Sequence, residues 1–127
     1  MTQLKAIIGS CLKWWRIRYQ GKENGGGDDC PLCKYCGFNE IYSRIADCNK
    51  CPVFKNTGKY CCDDTPYQEH TESSTNRNAT AELQFLFDLI KPRYYDNVEK
   101  ELNKGGYPKK FRVWMLRAIT KKESVSA

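Results

Sequence analysis

The chain has 127 residues, of which 40% are hydrophobic and 28% charged, a composition of globular rather than disordered proteins. Lys and Arg number 21 and Asp and Glu 15, so the formal charge is +6, a modest basic excess. No apolar run reaches the about 20 residues of a membrane span, and the length argues against a large multidomain enzyme.

Leu4, Ile7, Ile8, Cys11, Leu12 and Trp15 recur at steps of three and four, which predicts an amphipathic helix. Trp14 to Tyr19 also alternate in a way that a strand would use, so an α+β fold stays open beside an α-rich one. Lys5 and Lys13 leave no room for the apolar core of about 7–15 residues that a signal peptide needs. A reducing, cytoplasmic setting is therefore expected. Gly25-Gly26-Gly27 breaks the pattern.

A cysteine module follows at 28–70, with a short helix predicted around Phe38–Ala46, where Phe38, Ile41, Tyr42 and Ile45 share a face. Thr71 to Thr80 is rich in Ser, Thr and Asn and reads as a linker or exposed loop. The third segment, 79–127, is predicted helical. Ala79–Ile90 is apolar nearly all round, with Asn78 or Thr80 as cap and Glu82 in its first turn. Pro92 ends or kinks that helix. A second helix runs from Tyr94 to Leu102 and stops at Gly105-Gly106. A third opens near Pro108, with Phe111, Trp114, Met115, Ala118 and Ile119 on one face. The expected whole is one compact, α-rich unit with a small zinc-knuckle module between helical flanks.

Seven of the eight cysteines fall between Cys30 and Cys62. Disulfide frameworks spread their cysteines, whereas metal sites cluster them. Cys30-Pro-Leu-Cys33 and Cys48-Asn-Lys-Cys51 stand fourteen residues apart. Two residues between thiols let both sulfurs reach one ion, and two such units complete a tetrahedral shell with Zn–S of about 2.3 Å. Soft thiolates favour zinc, which brings no redox chemistry of its own. The leading ligand set is Cys30, Cys33, Cys48 and Cys51. In one alternative Cys61 or Cys62 replaces a member. In another, Cys36, Cys61, Cys62 and His70 hold a second ion. Buried or disulfide-bonded cysteines are the competing reading. Cys11, far away in sequence, is expected to be a packed residue of the first helix.

Cys30-Pro-Leu-Cys33, Cys48-Asn-Lys-Cys51-Pro52-Val53-Phe54, Thr57-Gly58-Lys59, Cys61 and Thr65-Pro66-Tyr67 resemble a cysteine-knuckle module of small proteins from bacteriophages and other mobile elements. The resemblance covers about 40 residues, and Cys36 and Cys62 depart from its pattern. It implies a phage-type accessory protein of the bacterial cytoplasm. By analogy of origin, such proteins include anti-defence factors, anti-CRISPR inhibitors among them.

Catalytic signatures are weak. His70-Thr71-Glu72 is similar to the His-x-Glu of zinc deaminases, but here both cysteine pairs precede it, and an all-thiolate shell leaves no position for water. His70 is instead expected to be an exposed polar residue near a loop. Asp28-Asp29 and Asp63-Asp64 read as solvated loop acids, and Gly25-Gly26-Gly27 lacks the Lys and Ser/Thr of a phosphate loop. An enzyme is not expected.

The charge is uneven. Residues 1–23 carry five basic residues and one acidic, 24–80 six and eight, and 81–127 ten and six. Arg16 and Arg18 interleave with Trp14, Trp15 and Tyr19; Lys109, Lys110, Arg112 and Arg117 interleave with Phe111 and Trp114. Cations contact phosphates and exposed aromatics stack on bases, so both stretches are candidate nucleic-acid contacts. They equally suit docking on an acidic protein face, and the aromatics equally suit a core. The expected function is a non-catalytic zinc protein that binds and inhibits a host protein or ribonucleoprotein of nucleic-acid defence, such as a CRISPR effector. The alternative is a small zinc-containing nucleic-acid-binding regulator.

Overall fold

A computed structural model describes residues 2–24, 30–37, 51–59 and 65–126. The predicted helix at 38–46, the glycine run and both acidic pairs lie outside those residues, as do Cys48, Cys61 and Cys62. The described elements are all helices: α1 (Gln3–Gln20), α2 (Pro31–Tyr35), α3 (Pro52–Thr57), α4 (Pro66–Glu72), α5 (Asn76–Asp88), α6 (Tyr95–Lys104) and α7 (Lys109–Ser126), with a 3-10 turn at Pro92–Tyr94. Among the described residues there is no strand, so the α-rich expectation holds and Trp14–Tyr19 is helical. No described helix is long and apolar enough to cross a membrane.

The chain divides into two compact units, 1–89 and 90–127. Helix α5, assigned from sequence to the carboxy-terminal segment, belongs to the first unit, where it packs on α1 and α4. Helix α1 is the centre of that unit. Thr2 caps it by accepting the Lys5 N–H at 3.2 Å, and Gly21 ends it at φ 66°, a conformation that glycine adopts at little cost. The helix buries Ala6, Ile7, Ile8, Ser10, Cys11, Lys13, Trp14, Trp15 and Ile17, a much wider face than the predicted stripe. The reason is tertiary: α2 packs on one side of α1 and α5 on another.

Helices α2, α3 and α4 share a local rule. Each has Pro at its first position, after Cys30, Cys51 and Thr65 respectively. The proline ring presets a helical φ where no N–H partner is needed. The predicted loop at 71–80 shrinks to Ser73–Thr75. Thr75 Oγ1 accepts the Asn78 N–H at 3.1 Å, and the Asn78 amide donates to Ser73 O at 2.8 Å. The Ser/Thr/Asn cluster is thus a helix-to-helix cap, and Thr75 rather than Asn78 or Thr80 is the cap of α5. Ala79, Leu83, Leu86 and Phe87 form its buried face.

The second unit is a helical hairpin, with α6 packed on α7. Its interior holds Tyr95, Val98 and Leu102 from α6 and Phe111, Met115 and Ile119 from α7, spaced as one face of each helix. Trp114 and Ala118, predicted on that face, are only half-buried. At the turn, Tyr107 donates its hydroxyl to Glu101 Oε2 at 3.2 Å. Burial, with the Glu101 charge and this bond, holds the phenol up at about 12. A side chain at Gly105 would collide with Tyr107 and Glu101, so the close approach requires glycine there.

Candidate functional site

The cysteine turn rests on one face of α1. At Gly9 an added Cβ would lie 3.1 Å from Pro31, so the missing side chain lets α2 approach. One residue on, the buried Ser10 Oγ accepts the Leu32 N–H at 3.2 Å, which ties the turn between Cys30 and Cys33 to α1. Within the turn, Cys30 Sγ accepts the Cys33 N–H at 3.4 Å. The Cys33 side chain bonds the same sulfur, so the two sulfurs share one turn. Cys30 and Cys33 are half-buried.

These contacts decide the chemistry of the sulfur. The Cys33 side-chain bond, the Cys33 and Leu32 N–H groups and the Lys13 charge together hold the Cys30 thiol well below its ordinary range, against the opposing effect of burial. Cys11 shows the opposite behaviour. It is fully buried on α1, and burial followed by Glu82 and Asp88 pushes its thiol far above the ordinary range. The expectation that Cys11 is a packed residue of the first helix agrees with this burial. A thiolate is the form that ligates metal, so the turn is chemically suited to zinc and Cys11 is not.

Of the leading ligand set, Cys30 and Cys33 come together, Cys51 stands half-buried as the cap residue of α3, and Cys48 lies outside the described residues. Among the described residues no three His, Cys, Asp or Glu side chains are grouped to hold an ion. His70, proposed for a second ion or as an exposed polar residue, is buried instead. Its ring meets Trp14 edge-on at 4.8 Å, and burial with the Lys13 charge lowers its pKa. Its Nδ1 has no hydrogen-bond partner among the described residues. Cys36 is buried at the end of α2.

Sequence reading missed two charged residues beside this turn. Lys13 is only 4% exposed and Glu82 only 2%. Glu82 is not in the first turn of its helix, because α5 starts at Asn76; its Oε2 has no partner among the described residues, and burial followed by the Cys30 charge raises it to about 8. The available signal was a lysine inside the run Cys11-Leu-Lys13-Trp-Trp15 and a glutamate opening the run at Leu83.

The basic stretches differ in accessibility. On α1, Trp14 and Trp15 are core residues. Arg18 Nε donates to Thr80 Oγ1 at 2.7 Å while its guanidinium lies 4.6 Å over the Tyr19 ring, and Arg16 is half-buried. On α7, Lys109, Lys110, Arg117 and Lys121 are exposed, and Arg112 is half-buried with an unpartnered Nε among the described residues. Val113 and Leu116 are exposed beside them at 38% and 37%, and with Arg117, Thr120 and Lys121 they line a shallow groove of about 400 Å³. Phe111 is fully buried.

No family model, no curated protein and no solved structure matches the chain.

Proposed function

We propose that the chain is a non-catalytic binding protein that docks through α7 on an acidic protein surface. The observation that carries this reading is the mixed face of α7, where exposed Val113 and Leu116 sit among Lys109, Lys110, Arg117 and Lys121. Cations of this kind speed encounter with an acidic partner, and apolar side chains at their centre supply affinity once water is expelled. A phosphate backbone would use the cations but gain nothing from Val113 and Leu116. Single-strand binding also needs aromatic stacking platforms, yet Trp14, Trp15 and Phe111 are committed to interiors, and the exposed Tyr19 and Tyr94 lie outside α7. These points favour protein over nucleic acid.

Under this reading Cys30, Cys33, Cys48 and Cys51 hold a structural zinc. Zinc would crosslink segments whose short helices, α2 of five residues and α3 of six, are too small to be stable alone. The partner class follows from the phage-type resemblance: a host nucleic-acid-handling complex, such as a CRISPR effector, blocked sterically. The test is co-purification of the full chain with effector complexes, alongside a salt-dependent titration with DNA and RNA. A stoichiometric complex lost in Leu116→Glu supports the proposal. A gel shift with nucleic acid alone, abolished by charge reversal at Lys110 and Arg112, would replace it with the regulator reading.

A further inference from the structure

The turn from Cys30 to Cys33 brings two sulfurs together. The Lys34 N–H donates to Cys30 O at 3.0 Å, which closes one helical turn, and the Cys33 N–H donates to Cys30 Sγ at 3.4 Å. Side chains three apart on such a turn are neighbours, and their Cα atoms fall in the range of about 4.4–6.8 Å that a disulfide spans. Here the sulfurs already meet, because the Cys33 side chain bonds Cys30. The turn is also held in place: Pro31 restricts its backbone, Gly9 lets it approach α1, and Ser10 Oγ accepts the Leu32 N–H. Cys30 and Cys33 are both thiols and both half-buried, so each keeps a path to solvent. Cys11 is fully enclosed, and Cys36 is only 4% exposed.

We propose that Cys30 and Cys33 form a reversible dithiol–disulfide couple that exchanges with small disulfides such as oxidised glutathione. Cys30 receives the hydrogen bonds of the pair, so its sulfur is the one that attacks first. As a thiolate it attacks one sulfur of the small disulfide, forms a mixed disulfide and expels a small thiolate. That thiolate takes up the proton of Cys33. The Cys33 sulfur then attacks Cys30, closes the Cys30–Cys33 bond and expels the second small thiolate, which is protonated by water. The two protein thiols lose two electrons and two protons, and the small disulfide leaves as two thiols. Because the seat on α1 already orders the turn, closing the bond fixes little further chain, which favours it over a lasting mixed disulfide. In a reducing compartment such bonds are transient and respond to oxidant. The inference does not depend on the zinc reading. Where the same sulfurs hold zinc, closure releases it, so oxidation and metal loading exclude each other.

The test exposes the purified, reduced full chain, without chelator, to mixtures of reduced and oxidised glutathione. Remaining thiols are trapped by alkylation and bonds are mapped by peptide mass spectrometry. The expected product is a Cys30–Cys33 disulfide, reversed by excess reduced glutathione and formed at least about tenfold faster than any adduct at Cys11. Cys33→Ser should instead accumulate a mixed disulfide with glutathione on Cys30, and Cys30→Ser should form one on Cys33 about tenfold more slowly. Denaturing the wild type should erase the preference over Cys11, since the fold creates it. A wild type that keeps both thiols in excess oxidised glutathione overturns the inference, as does a dominant bond from either residue to another cysteine. A preference that survives denaturation also counts against it. Should the serine variants not fold, the mapped bond in the wild type decides. Metal content measured on the same samples separates the two readings. A zinc-free wild type that closes the bond removes zinc and keeps the couple, and a zinc-loaded one that never closes it does the reverse.

Discussion

The two units bury different things. The interior of 90–127 is plain hydrocarbon and aromatic surface, Val98, Leu102, Phe111, Met115 and Ile119, with Glu101 held by Tyr107 at its edge. The interior of 1–89 contains Lys13, Glu82, His70, Ser10 and Thr65 among its apolar residues. Burying such groups costs free energy unless partners compensate, so a fold tolerates them where they serve something. The contrast separates a hairpin held by apolar packing from a unit whose interior also encloses charged and polar side chains.

The sharpest way to break the contrast is to remove the sulfur centre. If the cysteines hold zinc as proposed, Cys30→Ser, or excess chelator on the wild type, should abolish bound zinc and the cooperative melting of the first unit. Cys11→Ser should keep full metal content and lose only about 1–3 kcal/mol, the cost of a hydroxyl in an apolar site. Elemental analysis and calorimetry on the same samples check both. A Cys30→Ser protein with unchanged melting and metal would remove the sulfur centre from the account of the fold. The reverse experiment damages the other unit. Phe111→Ala should cost about 3–5 kcal/mol of stability by urea unfolding. It should leave zinc stoichiometry untouched, because the hairpin core shares no residue with the cysteine turn.

Charge gives a smaller but more specific signal. Glu82 ionises at about 8 in the folded chain against about 4.5 when solvated. The folded state therefore holds a proton that the unfolded chain has released. Below pH 4.5 both states are protonated and the residue is neutral to stability. As pH climbs from 4.5 to 8 the native state is progressively penalised, and above 8 the penalty is complete. Glu82→Gln should remove that slope and stabilise the chain at pH 8.5 by an amount on the order of a few kcal/mol, with little change at pH 4. Lys13 and Cys30 act on the same carboxyl in opposite senses, so thermal melts across pH belong on reduced samples of one fixed metal content.

What could be read in advance follows the same division. The signals for α6 and α7 are local, a stop at Gly105-Gly106 for the one and the apolar spacing from Phe111 to Ile119 for the other, and both helices are legible from them. Helix α1 was equally legible as a helix, but not in its burial. Leu4 and Leu12 are only half-buried while Lys13 is enclosed, because α2 and α5 approach from directions that no local period encodes. Thr71–Thr80 misled for a chemical reason: Ser, Thr and Asn mark both loops and caps, and here Thr75 and Asn78 do the capping. Cys30-Pro31 and Cys51-Pro52 read as metal-type spacing, which masked their second meaning, a cap residue followed by proline at the first helical position. The α7 cations were found, but Val113 and Leu116, which give their face a preference for protein, stand out only once burial is known.

Those two residues supply the smallest change in stability and the most informative one in function. Exposed substitutions away from caps and cores stay within about 0.5 kcal/mol. Leu116→Glu should therefore melt with the wild type. It places a carboxylate between Val113, Arg117 and Thr120, which both removes apolar contact and repels an acidic partner. If α7 is the docking face, affinity for that partner should fall by more than tenfold. Arg18→Ala on α1, whose guanidinium is already engaged by Thr80 and Tyr19, should leave partner affinity near wild type. Equal binding by wild type and Leu116→Glu in a quantitative pull-down would move the docking surface off α7, and a larger loss in Arg18→Ala would move it to the first unit.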